Sequence, residues 1–65
     1  MKAKELRQKT IEDLRKLERE LRERLRGLRF DLASGKVKNV RELREVKKDI
    51  ARILTVIREK EKQQQ

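Results

Sequence analysis

Apolar side chains recur at Ile11, Leu14, Leu17, Leu21, Leu25, Leu28 and Leu32, at steps of 3, 3, 4, 4, 3 and 4. That spacing lays them along one stripe of an α-helix. A second stripe follows at Val40, Leu43, Val46, Ile50, Ile53 and Ile57, with steps of 3, 3, 4, 3 and 4. Between the two, "DLASGKVKN" at 31–39 is the only stretch where the charged helical rhythm stops. The pattern predicts a helix over about 10–34, a turn over 35–39 and a helix over about 40–60. The opening "MKAKELRQ" has room for one or two extra helical turns that fold back at Thr10, and 61–65 reads as a frayed tail.

The boundaries carry their own signals. In "TIED", Thr10 is placed to cap the first long helix while Asp13 reaches back, a capping-box pattern. Gly35 suits the left-handed residue just past that helix. "NVRE" repeats the capping box at the next start, with Asn39 as cap and Glu42 three residues on. A connection this short leaves neighbouring helices antiparallel. The expected fold is therefore all-α, a single domain over 1–65: a long antiparallel two-helix hairpin with a short N-terminal helical turn. Leu32 is expected opposite Val40, Leu25 near Val46, and Leu17 near Ile57.

Composition makes this fold marginal. The chain has 65 residues, 34% hydrophobic and 51% charged, with no tryptophan, tyrosine or proline. Without the periodicity it would lie near the disordered class. A two-helix hairpin buries one face of each helix, so something beyond the hairpin is expected to complete it. There is no cysteine and no histidine, which excludes a disulfide framework and the usual ligands of structural zinc, and no cofactor is expected. Apolar runs never exceed two residues and the first ten residues lack an apolar signal core, so a cytoplasmic protein is the expectation.

Charge narrows the partner. There are 21 basic residues against 12 acidic ones, a net charge of +9. An excess of this size favours a polyanion, nucleic acid first and an anionic membrane surface second. Arg15, Arg19, Arg22, Arg26 and Arg29 recur at steps of 4, 3, 4 and 3, beside the leucine stripe, and Arg41, Arg44, Lys48 and Arg52 repeat the design on the second helix. The bland alternative is a solvated surface of ion pairs, which Glu18 with Arg22 and Glu20 with Arg24 would fit. Against it, Arg15/Arg19, Arg22/Arg26 and Arg44/Lys48 are like-charged neighbours one turn apart, a mildly destabilising arrangement unless an external anion neutralises the row. The arginine fork suits phosphate. An interfacial membrane helix would carry bulky aromatics, whereas these stripes are Leu, Ile and Val. RNA is thus favoured, bound through its backbone without base reading. The two rows are expected to make one combined cationic outer face. Phe30 falls off the stripe beside Gly27, where it either covers the hairpin end or docks on RNA or a protein neighbour.

At "LRFDLASGKVKN" and "VKKDIARILT" the chain resembles a family, the bacterial large-subunit ribosomal proteins of the L-twenty-nine family. Leu28, Arg29, Phe30, Ala33, Gly35 and Asn39 match the first block of its pattern, and Val46 to Ile53 with Thr55 match the second. Asp31, Val40 and Leu54 depart from it. The resemblance implies a long α-hairpin on the large-subunit surface, bound to 23S-type ribosomal RNA, and it adds Lys47 to the candidate RNA contacts. It also implies a place beside the nascent-chain exit next to the protein of the L-twenty-three family, where trigger factor and signal recognition particle dock. No catalytic role is implied, since the only acid–base candidates are carboxylates in ion-pairing patterns. The reading of a different class is a helical-hairpin or coiled-coil interaction module whose charge serves solubility.

Overall fold

A computed structural model of the chain describes residues 2–35 and 40–63. These form three helices: α1 at Ala3–Arg7, α2 at Ile11–Ala33 and α3 at Val40–Gln63. The two long helices run antiparallel, and the molecule is a rod of 46 × 17 × 14 Å.

The start of α2 follows from Thr10. Its backbone is extended at φ −73° and ψ 161°, and its Oγ1 accepts the Asp13 backbone N–H at 3.1 Å. This satisfies one of the free donors of the first turn. At the far end the Ser34 N–H donates to the carbonyls of Phe30 and Asp31, and the Gly35 N–H donates to Leu32 at 3.0 Å. Gly35 then turns left-handed, at φ +91°, where a side chain would be strained. The expected glycine cap is present. The expected Asn39 cap falls outside the described residues.

Helix α3 runs on to Gln63, past the end expected near 60. Two side-chain ties account for the extra turn. Arg15 Nη2 of α2 donates to Glu61 at 2.6 Å, and Lys60 Nζ donates to the Arg7 carbonyl of α1 at 2.8 Å.

The core is one seam in two connected parts. Near the turn, Leu28, Val46 and Ile50 are buried, with Leu21, Leu25, Leu43 and Leu54 packed against them. Towards the open end, Leu6, Leu14, Ile53, Val56 and Ile57 are buried, with Leu17 and Leu21 alongside. Leu21 belongs to both and joins them. The neighbours expected from the stripes are present: Leu25 lies in the part that holds Val46, and Leu17 packs against the part that holds Ile57. Leu32 and Val40 are both half-buried.

Helix α1 is what completes the hairpin. Five residues are far too few to form a helix unaided. Leu6 holds it in place, only 1% exposed, and Val56 lies in the same cluster. Arg7 also pairs with Glu59 at 3.3 Å. The fold-back closes the open end of the seam, where two helices alone would leave Val56 in water.

Candidate nucleic-acid interface

The rotation of each helix about its axis decides which cations can act together. Two ion pairs cross the seam and show that rotation: Arg15 with Glu61 at 2.6 Å, and Arg24 with Glu42, whose Oε1 accepts Arg24 Nε at 3.0 Å. Arg15 and Arg24 are nine residues apart, two and a half turns at 3.6 residues per turn, so they lie on opposite sides of α2. The pairs therefore stitch the two opposite flanks of the hairpin.

Arg19, Arg22, Arg26 and Arg29 stay within a narrow sector around Arg15, so the whole α2 row lies on the Arg15 flank. On α3 the cation nearest in phase with Glu61 is Lys47, just under four turns back and about 40° round from it, with Arg58 about 60° round. Both therefore face the same flank as the α2 row. Arg41, Lys48 and Arg52 do not. Arg52 is nine residues before Glu61 and so half a turn out of phase, and Arg41 and Lys48 keep company with it, with Arg44 at the margin. That row faces away from α2. In place of the single combined cationic face expected from sequence there are thus two rows, with Lys48, Arg41 and Arg52 about 100–140° round α3 from Lys47. Spacing within one helix shows each row. How the rows stand relative to each other depends on where the seam lies, which the spacing alone does not reveal.

Several row members are already paired. Arg22 holds Glu18 at 2.8 Å, Arg26 lies 3.5 Å from Glu23, and Arg52 lies 3.8 Å from Asp49. The acids one turn away, and Glu61 across the seam, are within reach of a long flexible guanidinium, so pairing is stronger here than the like-charge count suggested. The expected Glu18–Arg22 pair forms, whereas Arg24 bonds Glu42 and not the expected Glu20. All of these arginines are more than half exposed. Such pairs contribute at most about 1 kcal/mol and yield readily to a phosphate. Of the expected contacts, Arg19, Arg29, Arg41, Arg44, Lys47 and Lys48 are exposed and form no ion pair among the described residues.

Phe30 is 72% exposed and lines an open groove with Gly27, Glu23 and Arg26. It points away from α3 and does not cover the hairpin end; Leu28, two residues earlier, is the buried one. Sequence reasoning passed over Arg58, Leu6 and Val56. For the last two there was a signal. The stripe on α3 widens into the doublets Ile53–Leu54 and Val56–Ile57, more apolar width than one partner helix can cover.

Among the described residues there is no group of acids placed to hold a metal ion, and no helix is long and apolar enough to cross a membrane. What the rod offers is exposed cationic rows on a rigid support.

Comparison with known proteins matches the sequence of this chain to one family. The model of the family described as "Ribosomal L29 protein" matches residues 4–60. The chain is 62% identical over 60 residues to large ribosomal subunit protein uL29 of Thermodesulfovibrio yellowstonii, across 92% of this chain and 83% of that one. It is 48% identical over 65 residues to uL29 of Moorella thermoacetica, across 100% of this chain and 97% of that one. It is 48% identical over 61 residues to uL29 of Geobacillus stearothermophilus, across 94% and 92%. The hairpin up to residue 60, its cap and both cationic rows lie within the matched span, and the chain belongs to the ribosomal L29 protein family.

Proposed function

We propose that the protein is a structural constituent of the large ribosomal subunit, acting in the cytoplasm and held to 23S-type ribosomal RNA by its two cationic rows. The observation that carries this reading is the family match over residues 4–60, which takes in every candidate contact from Arg15 to Arg52. The exposed, unpaired cations supply the physical means, because phosphate contacts need charge and reach but no enclosed pocket. The arginine excess on α2 fits bidentate phosphate binding. The role is architectural, and no side chain is required to perform chemistry.

The same reading sets the rod beside the polypeptide exit, next to the protein of the L-twenty-three family, within reach of trigger factor and signal recognition particle. The family resemblance supports that placement, and Phe30 supplies an exposed apolar contact for a neighbour. The test is sedimentation of tagged protein through a sucrose gradient. It is expected to travel with large subunits at physiological salt and to move to the top after ribonuclease digestion. Protein that stays in a nuclease-insensitive complex would instead identify a helical adaptor.

A further inference from the structure

Resting on the reading that the rows bind RNA, we propose that they hold two separate RNA segments, so that the rod braces one against the other. The apolar seam holds the rotation of both helices, and the cross-seam pairs Arg15–Glu61 and Arg24–Glu42 show what that rotation is. Given that rotation, Arg19 and Arg29 of α2 share one flank with Lys47 of α3, while Arg41 and Lys48 face outward from α3 with Arg44 at the margin of their row. The two sets diverge, with Lys48, Arg41 and Arg52 about 100–140° round α3 from Lys47, on a convex body 17 × 14 Å across. An A-form duplex cannot follow that divergence. Its minor groove is shallow and its major groove is narrow, so neither wraps a rod of this width. One duplex therefore satisfies one row and leaves the other facing away.

Each row is cationic in its own right. On the α2 flank, Arg19, Arg29 and Lys47 form no ion pair among the described residues, and on the outer row neither do Arg41, Arg44 and Lys48. Arg41/Arg44 and Arg44/Lys48 are like-charged at i,i+3 and i,i+4, an arrangement that an external anion relieves. A protein partner for the outer row would need a matching acidic strip. Phosphate at regular spacing needs only the backbone that the α2 flank already meets. RNA on both rows is the simpler chemistry.

The experiment uses the full chain and a 12-base-pair RNA duplex in two batches, one labelled with a fluorescence donor and one with an acceptor, at low salt. Energy transfer is expected to rise as protein is added and fall at excess, with sedimentation giving two duplexes on one chain. The triple variant Arg41→Gln, Arg44→Gln, Lys48→Gln is expected to bind one duplex with no transfer. The triple variant Arg19→Gln, Arg29→Gln, Lys47→Gln is expected to do the same, with circular dichroism unchanged in both. Saturation at one duplex per chain, or transfer only in complexes that hold two chains, would overturn the bracing proposal while leaving RNA binding intact. Failure of the wild-type chain to bind either batch would overturn this proposal and the RNA-binding reading together.

Discussion

Arg15, in the second turn of α2, is bonded at 2.6 Å to Glu61, in the last turn of α3, so the open end of the hairpin is closed by a charge pair. The same arginine belongs to the row proposed to bind RNA. Structure and binding therefore compete for one side chain. Both partners are about half exposed, which keeps the pair within about 1 kcal/mol. Glu61→Gln is expected to lower thermal stability by less than that amount and to fray the last turn of α3. It should also release Arg15 to bind phosphate, steepening the dependence of log affinity on log salt by about 0.7–0.9. Filter binding over a salt series measures the slope, and an unchanged slope would show that Arg15 stays off the RNA.

The turn supplies a second expectation. Gly35 sits at φ +91° with nothing within 4 Å of an added Cβ, so the strain of a substitution there is conformational, not steric crowding. Gly35→Val is expected to cost more than about 1 kcal/mol, and Gly35→Asn less, because asparagine visits the left-handed region more readily. Thermal melts followed by circular dichroism should rank the three proteins wild type, asparagine, valine. Equal melting of wild type and the valine variant would contradict the cap.

Helix α1 gives a third. Leu6→Ala is expected to lower stability by about 2–3 kcal/mol, through the lost contacts with the cluster of Leu14, Ile53 and Val56. Since α1 is five residues long, it should undock as a unit while α2 and α3 keep their helicity. Hydrogen exchange would register this as loss of protection confined to 3–9 and the last turns of α3. Uniform loss along the whole rod would mean that α1 is inseparable from the seam.

A fourth concerns the RNA affinity. The six expected contacts without ion pairs among the described residues, Arg19, Arg29, Arg41, Arg44, Lys47 and Lys48, set a scale of about six phosphates neutralised. Binding to an RNA that meets both rows is then expected to fall about 10³-fold between 50 and 200 mM salt. A nearly flat dependence would remove the phosphate-row reading.

These expectations rest on features of unequal visibility in the sequence. The leucine stripe of α2, the Thr10 and Gly35 boundaries and the cation rows could be read directly, because each is a local pattern repeated at helical spacing or marked by a residue type with one strong backbone preference. Leu6 and Val56 were visible only indirectly, through the doublets Ile53–Leu54 and Val56–Ile57, which leave α3 more apolar width than one partner covers. A five-residue helix shows too little of a period, and Val56 lies off the line joining Ile53 to Ile57, buried only because α1 returns over it. The divergence of the two rows was hidden for a different reason. It is a relation between helices, fixed by which flank Glu42 and Glu61 share with Arg24 and Arg15, and no spacing within one helix contains it.

The seam of this rod holds no buried polar or charged residue among those described. Apolar stripes that repeat every three or four residues look alike after a slide of one turn, so the seam alone specifies the sliding register weakly. Register must come from its ends. A slip of α3 by one turn would break Arg15–Glu61 and Arg24–Glu42 together and would carry Val56 away from Leu6. The short N-terminal helix is thus an end-stop: it turns a pair of sliding rails into a part of fixed length, which is what an architectural element must be.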